Sequence, residues 1–368
     1  MRTNAAGGHT RLPQLDLLRA VAILFVFFYH GLIVFGGDAM NWRDTILQRA
    51  HENLAYLLLL PVNFGWIGVP LFFVLSGFVI HYSFLRSAPF DPAAYFRRRF
   101  WRIYPAYFVA LLVFGTRPLL AGEWRDFTLH ALLLHNLFLG SLLSLNPSFW
   151  SLAVEAQFYA LYPLLLATRA RFGIRSAFAG AVAVSLITRG IVAAILLRSH
   201  GTITPATQTW ACTPAFYMDW VAGACVAEGI VSGVSVFGRA RRAALPALLL
   251  AAAAVSQVRF GFVVSFSLWS LFWAGVIEAI ASKPYTPAPR RDRWLLPLGA
   301  GSYSVYLYHQ PILTALLTAL SPLFAASLSG YLALCALGLA PTLCAAYLSY
   351  QFVEKRFTKG VPSAIRAV

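Results

Sequence analysis

The chain has 368 residues, of which 59% are hydrophobic and only 11% are charged. In soluble globular proteins about a quarter of the residues are charged, so this composition excludes a soluble domain and predicts a polytopic membrane protein. The formal net charge of +16 could indicate a protein that binds nucleic acid. However, the basic residues form short clusters between apolar runs, a pattern typical of cytoplasmic loops, and we therefore expect no nucleic-acid partner.

A polar N-terminal tail, residues 1–14, precedes the first apolar run at residues 15–36. This run could be mistaken for a signal peptide. It is about as long as a full membrane span, however, and no small-residue cleavage site follows it convincingly. We therefore predict an uncleaved first transmembrane helix.

Nine further spans are predicted, at residues 65–86, 103–121, 149–168, 174–197, 210–231, 243–258, 260–282, 294–319 and 328–352. The basic clusters between them fall on alternate sides, so the positive-inside rule gives about ten spans with both termini in the cytoplasm. Residues 126–145 are apolar but interrupted by polar residues, and the alternation requires both of their ends on the outer side. This stretch is predicted to be an interfacial or re-entrant helix.

The predicted fold class is therefore an all-α polytopic membrane protein. Residues 15–354 form a single transmembrane domain, residues 355–368 a basic cytoplasmic tail, and no fused soluble domain is expected. The four cysteines all fall in apolar runs and are predicted to be small core residues: Cys212, Cys225, Cys335 and Cys344. The sequence has no Cys-x-x-Cys pair and no Cys/His metal spacing, so neither a redox motif nor a metal site is predicted.

Arg19 and His30 define the most informative spacing in the chain. In a helix the eleven steps between them amount to about 16 Å of rise and about 20° of net rotation, so both side chains share one face. With Arg19 at one interface, His30 lies about halfway through the roughly 30 Å hydrocarbon layer. Ionisable groups at that depth are costly and indicate function, because they must face a polar cavity or a partner.

Other polar residues are predicted at similar depth. Counted from the ends of their helices, Glu155 lies about 9 Å below the outer end and His309 about 22 Å above the inner end, both near the level of His30. Asp219 and Arg189 fall in the outer half, and two opposite buried charges would most simply pair with each other.

This arrangement suits proton transfer. A neutral imidazole can accept a proton from a hydroxyl near pH 7, and a carboxylate on its other nitrogen would fix the tautomer. Glu155 could instead form a structural hydrogen bond to a neighbouring helix, and His309 could be satisfied by its own neighbours, Tyr308 and Gln310.

Three arginines are expected at the cytoplasmic end of this face: Arg19, Arg99 and Arg102. Guanidinium groups bind phosphate through paired donors, so these residues could hold a phosphorylated donor substrate. The alternative for Arg19 is an interfacial anchor, and the alternative for the other two is a purely topological role.

At these residues the chain resembles the membrane-bound acyltransferase-3 family, which comprises bacterial O-acyltransferases that modify sugars of exopolysaccharide, lipopolysaccharide and related glycans. The matching motifs lie in order along the chain: the Arg-x10-His from Arg19 to His30, GVPLFFVLSGFVI at 68–80, RFWRIYP at 99–105, SFWSLAVEAQFYALYP at 148–163, SYSVYLYHQP at 302–311 and FVEKRF at 352–357. Two departures are the Lys355–Arg356 pair, where a Lys–Pro is often seen, and the absence of the fused esterase-like region that some members carry.

The resemblance implies a reaction and its partners. Acetyl-CoA or another acyl-CoA would act as cosubstrate from the cytoplasm, with Arg19, Arg99 and Arg102 near its phosphates, and no cofactor would be permanently bound. A glycan or lipid-linked saccharide would approach from the outer side, where His309, Tyr308 and Asp219 are possible polar contacts. His30 would be the general base, or would carry the acyl group as an acyl-histidine.

The expected location is the bacterial inner membrane, in contact with membrane lipids, and the oligomeric state stays open. One alternative class is a glycan polymerase or ligase, which would be expected to hold its glycan with long outer loops, and here the outer loops are short except 37–64 and 122–148. The other is a transporter or flippase for a glycan or a lipid-linked sugar, which would catalyse no acyl transfer. Such a carrier would be expected to show inverted halves or paired broken helices, and neither is evident in the sequence.

Overall fold

The computed structural model describes residues 12–36, 50–51, 53–87, 89–138, 140–198, 211–258, 260–324 and 327–359. These residues form helices and connecting turns, and no strand occurs among them. Six helical segments within these ranges are long and apolar enough to cross a membrane. The predicted all-α membrane class is therefore confirmed. Most of the predicted polar tail and the end of the basic tail, residues 1–11 and 360–368, lie outside the described residues.

Twelve α-helices serve as reference points: α1 (Pro13–Gly36), α2 (Gly68–Leu85), α3 (Pro92–Leu120), α4 (Trp124–Ala131), α5 (Phe149–Arg198), α6 (Thr213–Ser232), α7 (Arg241–Val255), α8 (Phe262–Ala281), α9 (Pro289–Ala300), α10 (Ser302–Leu320), α11 (Leu328–Ser349) and α12 (Lys355–Lys359). A single π-helical turn, Tyr350–Glu354, joins the last two. Shorter helical segments cover Leu54–Leu59, Leu60–Asn63, Gly65–Ile67, His135–Leu137, Gly238–Ala240 and Ser321–Leu323.

Helix α5 contains two of the predicted spans. Its 50 residues are interrupted at Gly173, whose φ of 78° and ψ of 160° are not helical. Only glycine adopts such a backbone conformation without strain. The break falls between the spans predicted at 149–168 and 174–197, so it lies where the sequence placed the connection.

Two predicted boundaries differ from the structure. The run at 294–319 is not one helix, because α9 ends at Ala300 and α10 begins after Gly301. Helix α9 packs against the start of α1 so closely that a Cβ on Gly299 would lie 1.8 Å from the carbonyl oxygen of Asp16. The stretch at 126–145 contains the end of α4 and the short helical segment His135–Leu137, and its described residues are otherwise turns, with positive φ at Leu133 and Leu145.

The cysteines are free, but only Cys335 is buried. Cys212 and Cys225 are half-buried, and Cys344 is exposed on α11. The expectation that all four are core residues is therefore wrong for Cys344. Hydrophobicity alone cannot separate the side of a membrane helix that faces protein from the side that faces lipid, because both are apolar.

Helices α2 and α6 also pack backbone against backbone. A Cβ on Gly77 would lie 1.9 Å from the carbonyl oxygen of Trp220, and one on Gly223 would lie 2.0 Å from that of Val74. Beside this contact, the indole nitrogen of Trp220 donates to Ser76 at 3.3 Å. Small residues thus let the two backbones touch, as expected for membrane helices.

Candidate active site

A cavity lined by arginine, serine and tyrosine side chains lies between α1, α2, α3, α5 and α10. Its polar wall consists of Arg19, Ser76, Arg99, Arg102, Ser151, Glu155, Tyr159, Ser302, Tyr303 and Tyr306. Its apolar wall consists of Val69, Phe72, Phe73, Leu75, Val79, Ile80, Ile103 and Leu152. We call it the arginine cavity. It brings together all three arginines predicted to bind a donor, and Glu155 lies in the same wall.

Arg19 is held by a residue of its own helix. Its Nη1 donates to Asp16 Oδ1 at 2.8 Å, three residues earlier on α1. Asp16 lies in the first turn of α1, where a carboxylate is stabilised by the positive end of the helix dipole. The pair therefore holds the Arg19 side chain near the N-terminal end of α1.

Arg99 lies against aromatic rings instead of a carboxylate. Its guanidinium carbon is 5.8 Å from the centres of both the Tyr95 and the Tyr159 rings, which is cation–π range. Its Nε is buried and has no hydrogen-bond partner among the described residues. This arginine thus retains a donor that a bound anion could use.

Arg102 contacts a carboxylate at the far end of the chain. Its Nη1 donates to Glu354 Oε1, from the π-turn after α11. Glu354 also accepts a hydrogen bond from Ser304 of α10 at 2.9 Å. The Arg102 side chain is 30% exposed, whereas that of Glu354 is completely buried.

Glu155 does not occupy the position that the sequence suggested for it. We expected a carboxylate on one nitrogen of His30, but Glu155 Oε1 accepts a hydrogen bond from the Tyr159 hydroxyl at 2.7 Å. The two residues are one turn apart on α5 and both line the arginine cavity. No hydrogen bond joins Glu155 to His30 within the described part of the chain.

His30 is paired with His309 instead. Nδ1 of His30 lies 2.7 Å from Nε2 of His309, and the two ring centres are 4.9 Å apart. Nδ1 of His309 lies 2.8 Å from the carbonyl oxygen of Tyr306, in the preceding turn of α10. His309 is buried and His30 is half-buried.

These two contacts fix the tautomers of the neutral pair. A carbonyl oxygen can only accept, so Nδ1 of His309 carries the hydrogen and its Nε2 is an acceptor. His30 must then donate from Nδ1, which leaves the lone pair on its Nε2. The arrangement is that of a base with an orienting partner, with His309 in the place where the sequence suggested a carboxylate.

Neither histidine belongs to the wall of the arginine cavity, and Tyr306 connects the two regions. Its ring lines the cavity, its hydroxyl lies 2.7 Å from Ser151 Oγ, and its ring centre is 5.4 Å from that of His309. The same cavity is thus lined by the three arginines and by Tyr306, whose ring packs against His309.

The turn before α5 braces α10 next to the histidines. Asn146 donates to the carbonyl oxygen of Leu307 at 3.0 Å, and Ser148 donates to Gln310 at 2.5 Å. Both bonds are buried. Because Leu307 and Gln310 flank His309 in the sequence, these two bonds hold the helical turn that carries the His309 ring.

The other two residues suggested for the acceptor side have separate surroundings. Asp219 forms the predicted pair with Arg189, whose Nη2 donates to Asp219 Oδ2 at 2.9 Å while its Nη1 donates to Ser267 at 2.7 Å. Tyr308 is buried, and its ring packs edge-on against Phe114 at 5.8 Å. The structure gives neither residue a hydrogen bond to His30 or His309.

Five further residues of this region are not predicted from the sequence: Ser151, Tyr159, Ser304, Tyr306 and Glu354. Each lies inside one of three motifs, SFWSLAVEAQFYALYP, SYSVYLYHQP or FVEKRF, and most of them are uncharged. A search for charged residues inside the predicted spans passes over the four uncharged ones, and Glu354 lies beyond the end of the span predicted at 328–352. Their position within the motifs was the available signal.

The structure thus combines an all-helical membrane fold with an arginine cavity and a neighbouring histidine pair. Residues 12–350 match the family described as "Acyltransferase domain", and the chain belongs to this family.

Three similar proteins illustrate the relationship. O-acetyltransferase OatA of Staphylococcus aureus (strain NCTC 8325 / PS 47) is 26% identical over 336 residues, which cover 82% of this chain and 50% of OatA. Acyltransferase MdmB of Streptomyces mycarofaciens is 30% identical over 323 residues, covering 81% of this chain and 78% of MdmB. The putative acetyltransferase ORF330 of Acidianus two-tailed virus is 32% identical over 157 residues, covering 42% and 40% of the two chains. The chain thus spans about half the length of OatA. No solved structure matches the chain.

Proposed function

We propose that this protein transfers an acetyl or other short acyl group from cytoplasmic acyl-CoA to a sugar hydroxyl on the outer side of the bacterial inner membrane. It would do so with about ten spans and with both termini in the cytoplasm. The observation that carries the proposal is the arginine cavity, which gathers Arg19, Arg99 and Arg102 and leads to Tyr306 beside His309. The names of OatA and MdmB, an O-acetyltransferase and an acyltransferase, support the same reaction class.

The three arginines would bind the phosphates of the donor. Guanidinium groups form paired, charge-assisted hydrogen bonds with phosphate oxygens. Arg99 suits this role best, because its buried Nε has no acceptor among the described residues. Its guanidinium lies within cation–π distance of the Tyr95 and Tyr159 rings. The apolar wall, which includes Val69, Phe72 and Leu152, would accommodate the uncharged arm that carries the thioester.

His30 would act as the general base. Its Nε2 lone pair would take the proton of the acceptor hydroxyl as the oxygen attacks the thioester carbonyl carbon. The carbon–sulfur bond then breaks, the thiolate of CoA leaves, and the proton on the imidazolium returns to that sulfur. His309 would hold the imidazole in the required tautomer throughout. The same lone pair would serve as the nucleophile in a route through an acyl-histidine.

Glu155 would act at the cavity wall and not on the imidazole. Its carboxylate accepts a hydrogen bond from the Tyr159 hydroxyl, and the Tyr159 ring lies beside the Arg99 guanidinium. Loss of this carboxylate would therefore disturb the wall that positions Arg99. An anionic group among arginines would also limit how tightly the cavity retains the anionic product, CoA.

The proposal is tested with purified protein in lipid nanodiscs, supplied with radiolabelled acetyl-CoA and a mixture of surface oligosaccharides. Acyl transfer is read as an acetyl mass on the glycan together with release of CoA thiol. S-acetyl-pantetheine, which lacks the phosphates, is the matched donor control, and we expect a much higher KM for it. Transport of the glycan without any thioester cleavage would contradict the proposal and favour a carrier.

A further inference from the structure

We infer that Glu354 is a positioning residue for the donor site, which fixes the guanidinium of Arg102 at the wall of the arginine cavity. The inference rests on the proposed function, since it assigns Glu354 to the binding of the acyl-CoA phosphates. Arg102 lines the cavity, whereas Glu354 is not part of the cavity wall. Glu354 contacts Arg102 from the π-turn that follows α11.

The π-turn explains how this carboxylate reaches the site. A π-turn closes hydrogen bonds between residues five apart, so such residues lie one above the other. In a regular α-helix five residues amount to about 500°, which would separate their side chains by about 140°. The turn Tyr350–Glu354 therefore brings Glu354 onto the side of the helix that carries Ser349. Single π-turns inside helices occur frequently at functional sites.

Both residues on that side contact the same serine of α10. Ser304 donates to Glu354 Oε2 at 2.9 Å, and its Oγ lies 3.3 Å from that of Ser349. Ser304 is buried. The hydroxyl of the preceding residue, Tyr303, donates to the carbonyl oxygen of Ile103 at 2.9 Å. The carboxylate is thus fixed by α10, the helix that also carries Tyr306 and His309.

A fully buried carboxylate is a strong constraint on the cation that it contacts. The Glu354 side chain has no exposure, and that of Arg102 is 30% exposed. A charge-assisted hydrogen bond to a carboxylate that is itself buried and hydrogen-bonded elsewhere restricts the orientations open to the guanidinium. Arginine has five N–H donors, so the Nη1 bond to Glu354 leaves others free to meet a phosphate.

Removing the negative charge of Glu354 has two opposing effects. It would strengthen the attraction of the cavity for an anionic donor, and it would release Arg102 from its fixed position. The positioning effect is expected to dominate, because bidentate phosphate binding depends on the orientation of the planar guanidinium. The sign of the change in donor affinity therefore decides between the two.

The test is the variant Glu354→Gln, which preserves the shape of the side chain and removes its charge. We expect the KM for acetyl-CoA to rise about tenfold while kcat stays within about twofold, the pattern of lost donor binding without lost chemistry. Direct binding of CoA to the nanodisc-embedded protein should weaken by the same factor. Glu123→Gln is the matched control, because Glu123 is exposed and outside the cavity wall.

A double-mutant cycle separates positioning from a general structural effect. In the Arg102→Ala background, Glu354→Gln should change the KM by less than about twofold, because the residue it positions is gone. Ser304→Ala, which removes one bond to the carboxylate, should raise the KM by a smaller factor than Glu354→Gln. Thermal unfolding of each variant shows whether the protein remains folded.

The outcomes are distinct. If wild-type protein uses acetyl-CoA and Arg102→Ala raises its KM while Glu354→Gln leaves it unchanged or lowers it, the positioning role is wrong and the proposed function stands. If Glu354→Gln weakens donor binding equally with and without Arg102, the role is also wrong. If wild-type protein neither binds CoA nor transfers an acyl group, the proposed function itself fails.

Discussion

The Nε2 atom of His309 lies 2.7 Å from Nδ1 of His30. This Nε2 is the acceptor, because the other ring nitrogen of His309, Nδ1, donates to the carbonyl oxygen of Tyr306. The contact joins α1, near the start of the chain, to α10, near its end. The pair leaves His30 with a lone pair on Nε2, the atom that a general base requires.

Replacing His309 should lower the rate of the chemical step. We expect His309→Ala to lower kcat about 100-fold with little change in the KM for acetyl-CoA, because the orientation and tautomer of His30 are lost. His309→Gln should retain more activity, since an amide oxygen can still accept from His30 Nδ1. Steady-state kinetics of both variants provide the measurement, and equal activity of His309→Ala and wild type would refute the role.

Arg99 should contribute to donor binding. Arg99→Ala is expected to raise the KM for acetyl-CoA about tenfold or more, because charge-assisted bonds to phosphate are lost. The change should be much smaller with S-acetyl-pantetheine, which has no phosphates. Arg97→Ala is the control, as Arg97 is exposed and outside the cavity wall. A similar KM increase in both variants would indicate a general surface-charge effect.

Glu155 should act through the cavity wall. Glu155→Ala removes the acceptor of the Tyr159 hydroxyl and is expected to lower kcat/KM about tenfold. Tyr159→Phe should reproduce part of this loss, whereas Glu155→Gln, which retains an acceptor oxygen, should lose less. If Glu155→Gln were as inactive as a His30 variant and Tyr159→Phe were normal, Glu155 would be acting directly in the chemistry.

The contact between α2 and α6 should tolerate no added methyl group. Gly77→Ala would place a Cβ 1.9 Å from the carbonyl oxygen of Trp220, so the helices must separate. We expect a loss of stability of at least about 2 kcal/mol, seen as a lower Tm and poor yield in detergent. Gly180→Ala is the matched control, because nothing lies within 4 Å of a Cβ there. An unchanged Tm for Gly77→Ala would show that this contact is not critical.

The sequence predicts the Arg189–Asp219 pair and the depth of the other buried polar groups, but not the partners of Glu155 and His30. Helical rise gives the height of a residue in the membrane, and the three predicted donor arginines indeed line one wall with Glu155. Height contains no information on lateral position. Glu155 and His309 were both predicted at the level of His30, and only the packing of α10 against α1 places His309 next to it.

Local backbone breaks were harder to predict. The pattern of apolar residues runs through Gly301, so the sequence suggested one span where the structure has α9 and α10. The π-turn before α12 was also missed, because one extra residue in a turn leaves no mark on composition. The spacing along an α-helix therefore could not place Glu354 on the same side as Ser349.

The most direct test of the account concerns His30 itself. His30→Ala and wild-type protein are compared in nanodiscs for acetyl transfer from acetyl-CoA to glycan and, separately, for the Kd of CoA. We expect the variant to bind CoA with unchanged affinity while its transfer rate falls by about 1,000-fold or more. Transfer by His30→Ala at the wild-type rate would contradict the assignment of His30 as the catalytic base.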